Sequence, residues 1–179
     1  IQEGTTINSK LKRTNGDLKI QHKPNDKLTI TANLNGGFVN QRAPLAGGAF
    51  GNPVLSSYFL LPSRNAYNPD GSYNLTSAAL GGLHNTIALT ELDKRFLRQT
   101  SLRGGLTVEY KILNNLKFKT AYGADYNILE EDQYNNPFHG DGQASNGRAY
   151  SYYTRYYNCV WTNALDWQQN LMRNGDLSL

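Results

Sequence analysis

A single cysteine, Cys159, in 179 residues rules out a disulfide within the chain and any cysteine-based metal centre. Lying in an alternating stretch, it suits a small apolar residue on a strand face. No run approaches the roughly 20 apolar residues of a membrane-spanning helix, and Tyr58 to Leu61 is the longest conspicuous one. That absence does not bear on strands, whose membrane signal per segment is weak. Charge is sparse as well. Charged residues make up 18%, the net charge is +4, and no block of Lys and Arg occurs, so nucleic acid is not an expected partner. His22, His84 and His139 stand far apart with no HExxH or cysteine company, so no metal site is expected. Gly81-Gly82 and Gly104-Gly105 do not make a phosphate loop and read as strand relief or bulges. Asp70-Gly71-Ser72 lacks the further ligands of a calcium loop, and Glu130-Glu131-Asp132 reads as a solvated strand end. No catalytic constellation has usable spacing. The chain is not expected to be an enzyme or to hold a cofactor.

Abundant instead is alternation. From 102 to 128, even positions carry Leu102, Leu106, Val108, Tyr110 and Ile112, then Leu116, Phe118, Tyr122 and Tyr126. Odd positions carry Arg103, Thr107, Glu109 and Lys111, then Lys117, Lys119, Asp125 and Asn127. A period of two is the strand period, so each run has one apolar and one polar face. Asn114-Asn115 marks the turn between the runs. Keeping even positions opposite even ones requires a loop of odd length, such as Leu113-Asn114-Asn115 with Ile112 opposite Leu116. Strands of about 15 residues follow, roughly 50 Å long, against about 5–6 residues for an ordinary strand.

The same grammar gives antiparallel strands near 9–23, 27–41, 96–113, 115–131 and 150–170, the last with its apolar residues at odd positions (Tyr157, Cys159, Trp161, Leu165). Turns at 24–26, 113–115 and about 172–175 are short, whereas the connections 42–95 and 132–149 are long and rich in Gly, Pro, Asn and Tyr. A 50-residue connection is rare in a compact domain and usually functional or partly structured. Val54, Leu55, Tyr58, Phe59 and Leu60 allow a short helix near 53–61 that stops at Pro62. The chain opens at Ile1 and breaks off in mid-pattern at Leu179, so a fragment is expected.

Long strands with short turns at one end and long loops at the other describe a segment of a large antiparallel transmembrane β-barrel: an all-β fold with extracellular loops and short periplasmic turns. Closure satisfies every backbone group in lipid, which an open sheet cannot do. Leu28, Ile30, Leu34, Leu106, Val108, Phe118, Tyr122 and Trp161 would then face outer-membrane lipid. Thr29, Arg103, Glu109, Lys119 and Asp125 would face the lumen. The alternative is a soluble, surface-exposed glycan-binding or adhesin β-domain without transport.

The stretch NPVLSSYFLLPSRNAYNPDGSYN, 52–74, resembles a loop of the SusC/RagA family of TonB-dependent outer-membrane transporters. LKRTNGDLKI, NTIALTEL at 85–92, LRGGLTVEYKILNNLKFKTAYGADYN at 102–127 and WTNALDW at 161–167 follow the same family's order. The resemblance implies that residues 1–179 are part of a β-barrel domain of about 22 strands, without its plug domain. It further implies import of oligosaccharides or peptides together with a SusD-like surface lipoprotein, powered by the TonB complex through parts absent here. Candidate substrate- or lipoprotein-contacting residues are Tyr58, Phe59, Tyr67, Asn68, Asp70 and Tyr73 in the first loop. Tyr134, Asn135, Phe138 and His139 are the candidates in the second. They mix aromatic faces with groups able to hydrogen-bond hydroxyls, though such residues also serve to pack loops together.

Overall fold

The structure, a computed structural model, describes residues 1–46, 51–76, 80–172 and 175–178. Among these, successive strands are neighbours in one sheet: β1 (Gln2–Glu3), β2 (Lys10–Asn25), β3 (Leu28–Arg42), β4 (Lys94–Leu113), β5 (Leu116–Asn135), β6 (Arg148–Met172) and β7 (Gly175–Ser178). Two short helices, α1 (Pro53–Ser57) and α2 (Thr86–Leu92), and a 3-10 segment, Gly140–Ser145, lie in the connections. No described helix is long and apolar enough to cross a membrane.

The strands outrun the sequence pattern where the connections become polar. β4 and β5 have 20 residues each and β6 has 25. β5 continues to Asn135, so the second long connection covers only 136–147. The first covers 43–93. Between β2 and β3 the non-strand residues are Asp26 and Lys27, one or two positions later than the Pro24 signal suggests. Asn25 Oδ1 accepts from the N–H groups of Lys27 (3.0 Å) and Leu28 (2.9 Å), closing the turn. Of the turn expected near 172–175, Arg173 and Asn174 lie outside the described residues.

Contacts cluster into two compact units: residues 1–13, 39–99 and 129–154 form the loop unit, and 14–38, 100–128 and 155–179 the turn unit. In the turn unit, parity is read directly from cross-strand partners. Asn35 donates to Asp17, and Arg103 and Lys119 pair with Asp125 (3.3 Å) and Glu109 (3.2 Å), all odd with odd. Leu102 lies over Gly36 and Leu34 over Gly104, even with even. Trp161 Nε1 donates to Thr120 Oγ1 at 2.9 Å, so odd positions of β6 share the even face of β5. This is the odd-numbered apolar face read from the sequence of β6. The apolar face presents Leu34, Leu102, Leu106, Tyr122, Trp161 (72% exposed) and Leu165 to its surroundings. From Leu102 to Ile112 it runs about 33 Å along β4, or about 25 Å at a barrel's usual tilt, the height of a lipid-facing band.

Candidate functional site

In the loop unit the connections fold into a hydrogen-bonded cap. α1 starts because Asn52 Oδ1 accepts from the N–H groups of Val54 (3.0 Å) and Leu55 (3.2 Å), with Pro53 at the first helical position. It is five residues long and ends with Tyr58 as its C-cap, short of Leu61. Pro53 and Ser56 are its buried residues, and it packs against α2. The apolar residues point the other way: Val54, Leu55, Phe59 and Leu61 are exposed, and Tyr58 is 81% exposed.

Residues 66–74 form a tight hairpin. Asn74 N–H donates to Ala66 O (2.9 Å), Asn68 N–H to Ser72 O (2.8 Å) and Gly71 N–H to Asn68 O (2.9 Å). Gly71 has φ +83°, where a side chain is strained. Asp70 accepts from Ser72 Oγ (2.7 Å) and N–H (3.0 Å), and these bonds hold its carboxyl below the usual range. Tyr67 and Tyr73 lie side by side with ring centroids 5.5 Å apart. Burial and the charge of Glu91 push the Tyr73 phenol up.

The cap is held by a network of Asn85, Asp93, Asn136 and His139. Asn85 caps α2, its Oδ1 accepting from Ile87 and Ala88 N–H at 3.1 Å each, while its Nδ2 donates to Ala66 O (2.6 Å) and Asn74 O (3.2 Å) at the hairpin base. Its own N–H donates to His139 Nε2 at 2.7 Å. In the second connection, Asn136 donates N–H and Nδ2 to Asp93 Oδ1 (2.8 and 2.6 Å) and accepts from Phe138 and His139 N–H. Asn-Thr before an apolar helical stretch is a legible N-cap signal at Asn85. Nothing local signals that His139, 54 positions on, is its partner.

The candidate residues therefore divide. His139 is 1% exposed, and Asn135 is buried too, so both pack the cap and neither is open to a ligand. Tyr58, Phe59, Tyr67, Tyr134 and Phe138 are exposed, as are Asn68 and Asp70, while Tyr73 is half-buried. Burial and the nearby His84, ring centroids 4.9 Å apart, push His139 down to about 4, so it is neutral and its Nε2 accepts. The histidines read as far apart in the sequence thus include one close pair, yet no group of three metal-ligating residues occurs among the described residues. Asp93 is pushed up by burial, against the lowering effect of Asn136. The acidic run is not free to take a cation: Glu131 pairs with Arg95 (2.7 Å), and Glu130 and Asp132 with Arg98.

No protein-family profile matches the chain. Over 133 residues it is 29% identical to TonB-dependent receptor P3 of Formosa agariphila, covering 68% of this chain and 13% of that protein. Its fold matches part of the RagAB peptide transporter (TM-score 0.69, 17% identity, 95% of this chain and 20% of that one). It also matches the RagAB peptide importer in its closed-closed state (TM-score 0.68, 17% identity, 95% and 19%). The chain thus spans about a fifth or less of these relatives. Both comparisons bear out the resemblance read from the sequence. The chain is thus similar in sequence to part of a TonB-dependent receptor, and its fold is that of a segment of the RagAB β-barrel.

Proposed function

We propose that this segment works within an outer-membrane TonB-dependent active transporter that imports oligosaccharides or peptides together with a SusD-like surface lipoprotein. The collinear identity to a TonB-dependent receptor carries the reading. The sheet supports it: a soluble adhesin has no use for a face on which Leu34, Leu106, Trp161 and Leu165 stand exposed in a row. In this reading the connection 42–95 is the functional element, and the outward residues of its first part, Tyr58 and Phe59, meet lipoprotein or substrate. The hairpin residues Tyr67, Asn68, Asp70 and Tyr73, with Tyr134 and Phe138, complete the contact surface. Binding residues collect on loops held by rigid scaffolds, and an exposed apolar patch needs a partner.

The test is made in the full-length transporter. Deleting 53–74 is expected to abolish uptake or co-purification of the lipoprotein while leaving a heat-resistant, inserted barrel. A Tyr58→Asp/Phe59→Asp variant, which changes only exposed side chains, should do the same without disturbing the cap. Normal growth on the transported nutrient with the lipoprotein still bound would remove the loop from the mechanism. Uptake assays with labelled peptide and labelled oligosaccharide separate the two substrate classes.

A further inference from the structure

In the loop unit, the strand positions that continue the apolar parity change chemistry. Even positions of β4 pass from Leu102 to Arg98, Phe96 and Lys94, and those of β3 end at Arg42. Arg42 lies over the Phe96 ring, 5.7 Å from its centroid, and shares a cavity of about 440 Å³ with Lys10 of β2. Phe96 itself lines a second cavity of about 380 Å³, with Lys94, Asp132, Tyr134, Ala149 and Ser151. Asp132 is already satisfied there, accepting from Ser151 Oγ (2.8 Å) and pairing with Arg98. Lys10 has Glu3 at 3.4 Å. Lys12, Arg42 and Lys94 have no carboxylate within 4.0 Å among the described residues. Cations thus flank an aromatic ring, Arg42 and Lys94 each lining a cavity, on the parity that elsewhere along the same strands is apolar.

We infer that this belt is a docking site for the phosphorylated headgroups of membrane lipids around the barrel, with Arg42 and Lys94 as phosphate ligands and Phe96 and Tyr134 beside the acyl-chain roots. The inference rests on the reading of the strands as a membrane barrel. Charge complementarity selects the occupant. The unpaired groups are cations, and the carboxylates nearby are spent on Arg98 and Lys10, leaving an anion as the fitting partner. An aromatic ring with an adjacent cation suits the boundary where acyl chains give way to headgroups, and basic pockets at that level bind anionic lipid.

Native mass spectrometry of the purified full-length protein, titrated with bis-phosphorylated lipid A and with its dephosphorylated form, tests this. The phosphorylated lipid is expected to bind, and Arg42→Ala/Lys94→Ala to weaken it about 30-fold, the effect of losing two headgroup-adjacent cations. Lys19→Ala/Lys23→Ala, which removes two cations of the opposite parity, should bind as wild type. So should every variant with the dephosphorylated lipid. Competition by inorganic phosphate at equal concentration would make this a free-anion site and overturn the lipid assignment. Equal lipid binding by wild type and Arg42→Ala/Lys94→Ala would also overturn it. So would a changed oligomeric state with lipid binding intact, which would make the belt an interface between copies. An unboiled wild-type sample without the heat-modifiable mobility of a barrel would instead refute the underlying membrane reading.

Discussion

Replacing His139 by alanine should open the loop cap and leave the strands in place. The imidazole is buried and its Nε2 is the acceptor for Asn85 N–H. Asn85 in turn holds α2 and both carbonyls at the hairpin base. Leaving that N–H buried and unpaired costs about 1–3 kcal/mol, and the void left by the ring adds about 2 kcal/mol. Local opening cheaper by about 3 kcal/mol means amide exchange about 100-fold faster. Hydrogen exchange read by mass spectrometry on the full-length protein should show this in peptides from 63–76, 80–93 and 136–147, with the peptides of β4 and β5 unchanged. His139→Gln, whose carbonyl oxygen can accept the same N–H, should recover part of the protection. Acid should mimic the alanine variant. His139 is depressed from 6.5 to about 4 in the fold, so between those values the opened loop binds more protons than the closed one. Closure stability therefore falls as pH drops through this window, by about 3 kcal/mol if the whole gap is traversed. Asp93, pushed up by burial, acts in the opposite sense, because the folded loop keeps its proton to higher pH. The readout is thus the pH dependence of the difference between wild type and His139→Ala. Equal loop protection in the two proteins at pH 7.5, or a difference that does not shrink towards pH 4.5, would refute the reasoning.

Two further outcomes test the faces and the loop backbone. Val108→Arg, on the apolar parity of β4, should destabilise the inserted barrel by about 2–4 kcal/mol in lipid folding titrations, whereas Thr107→Arg should be mild; equal tolerance would reverse the assignment of faces. Gly142→Ala should unsettle the second connection, because a Cβ there collides with the backbone of Asn136 and comes within 3.0 Å of Asn135. Its expected cost is at least about 1–3 kcal/mol. Gly71→Ala, strained in φ but with nothing within 4 Å, should cost only about 1 kcal/mol in the hairpin; exchange rates of 136–147 and 66–74 peptides check the pair.

The alternation of Leu102, Leu106 and Val108 with Arg103, Thr107 and Glu109 by itself determined a strand and its two faces, because side-chain direction in a strand depends only on the local backbone. Parity across Asn114-Asn115 was equally legible, since only one register keeps Glu109 beside Lys119 and the apolar residues together. Helix α1 was visible in the spacing of Val54, Leu55, Tyr58, Phe59 and Leu60, but its length and the residues it packs with were not. It ends after Ser57 rather than near Leu61, and it turns Pro53 and Ser56 inward against α2. His139 read as a ligand contact and proved to be the anchor of Asn85. The belt of Lys10, Arg42, Phe96 and Asp132 draws on four strands and is invisible to any window along the chain. Periodicity reports the angle between successive side chains. Which loops meet, and which cations share a face across strands, depends on strand order and stagger, and only the tertiary structure decides those.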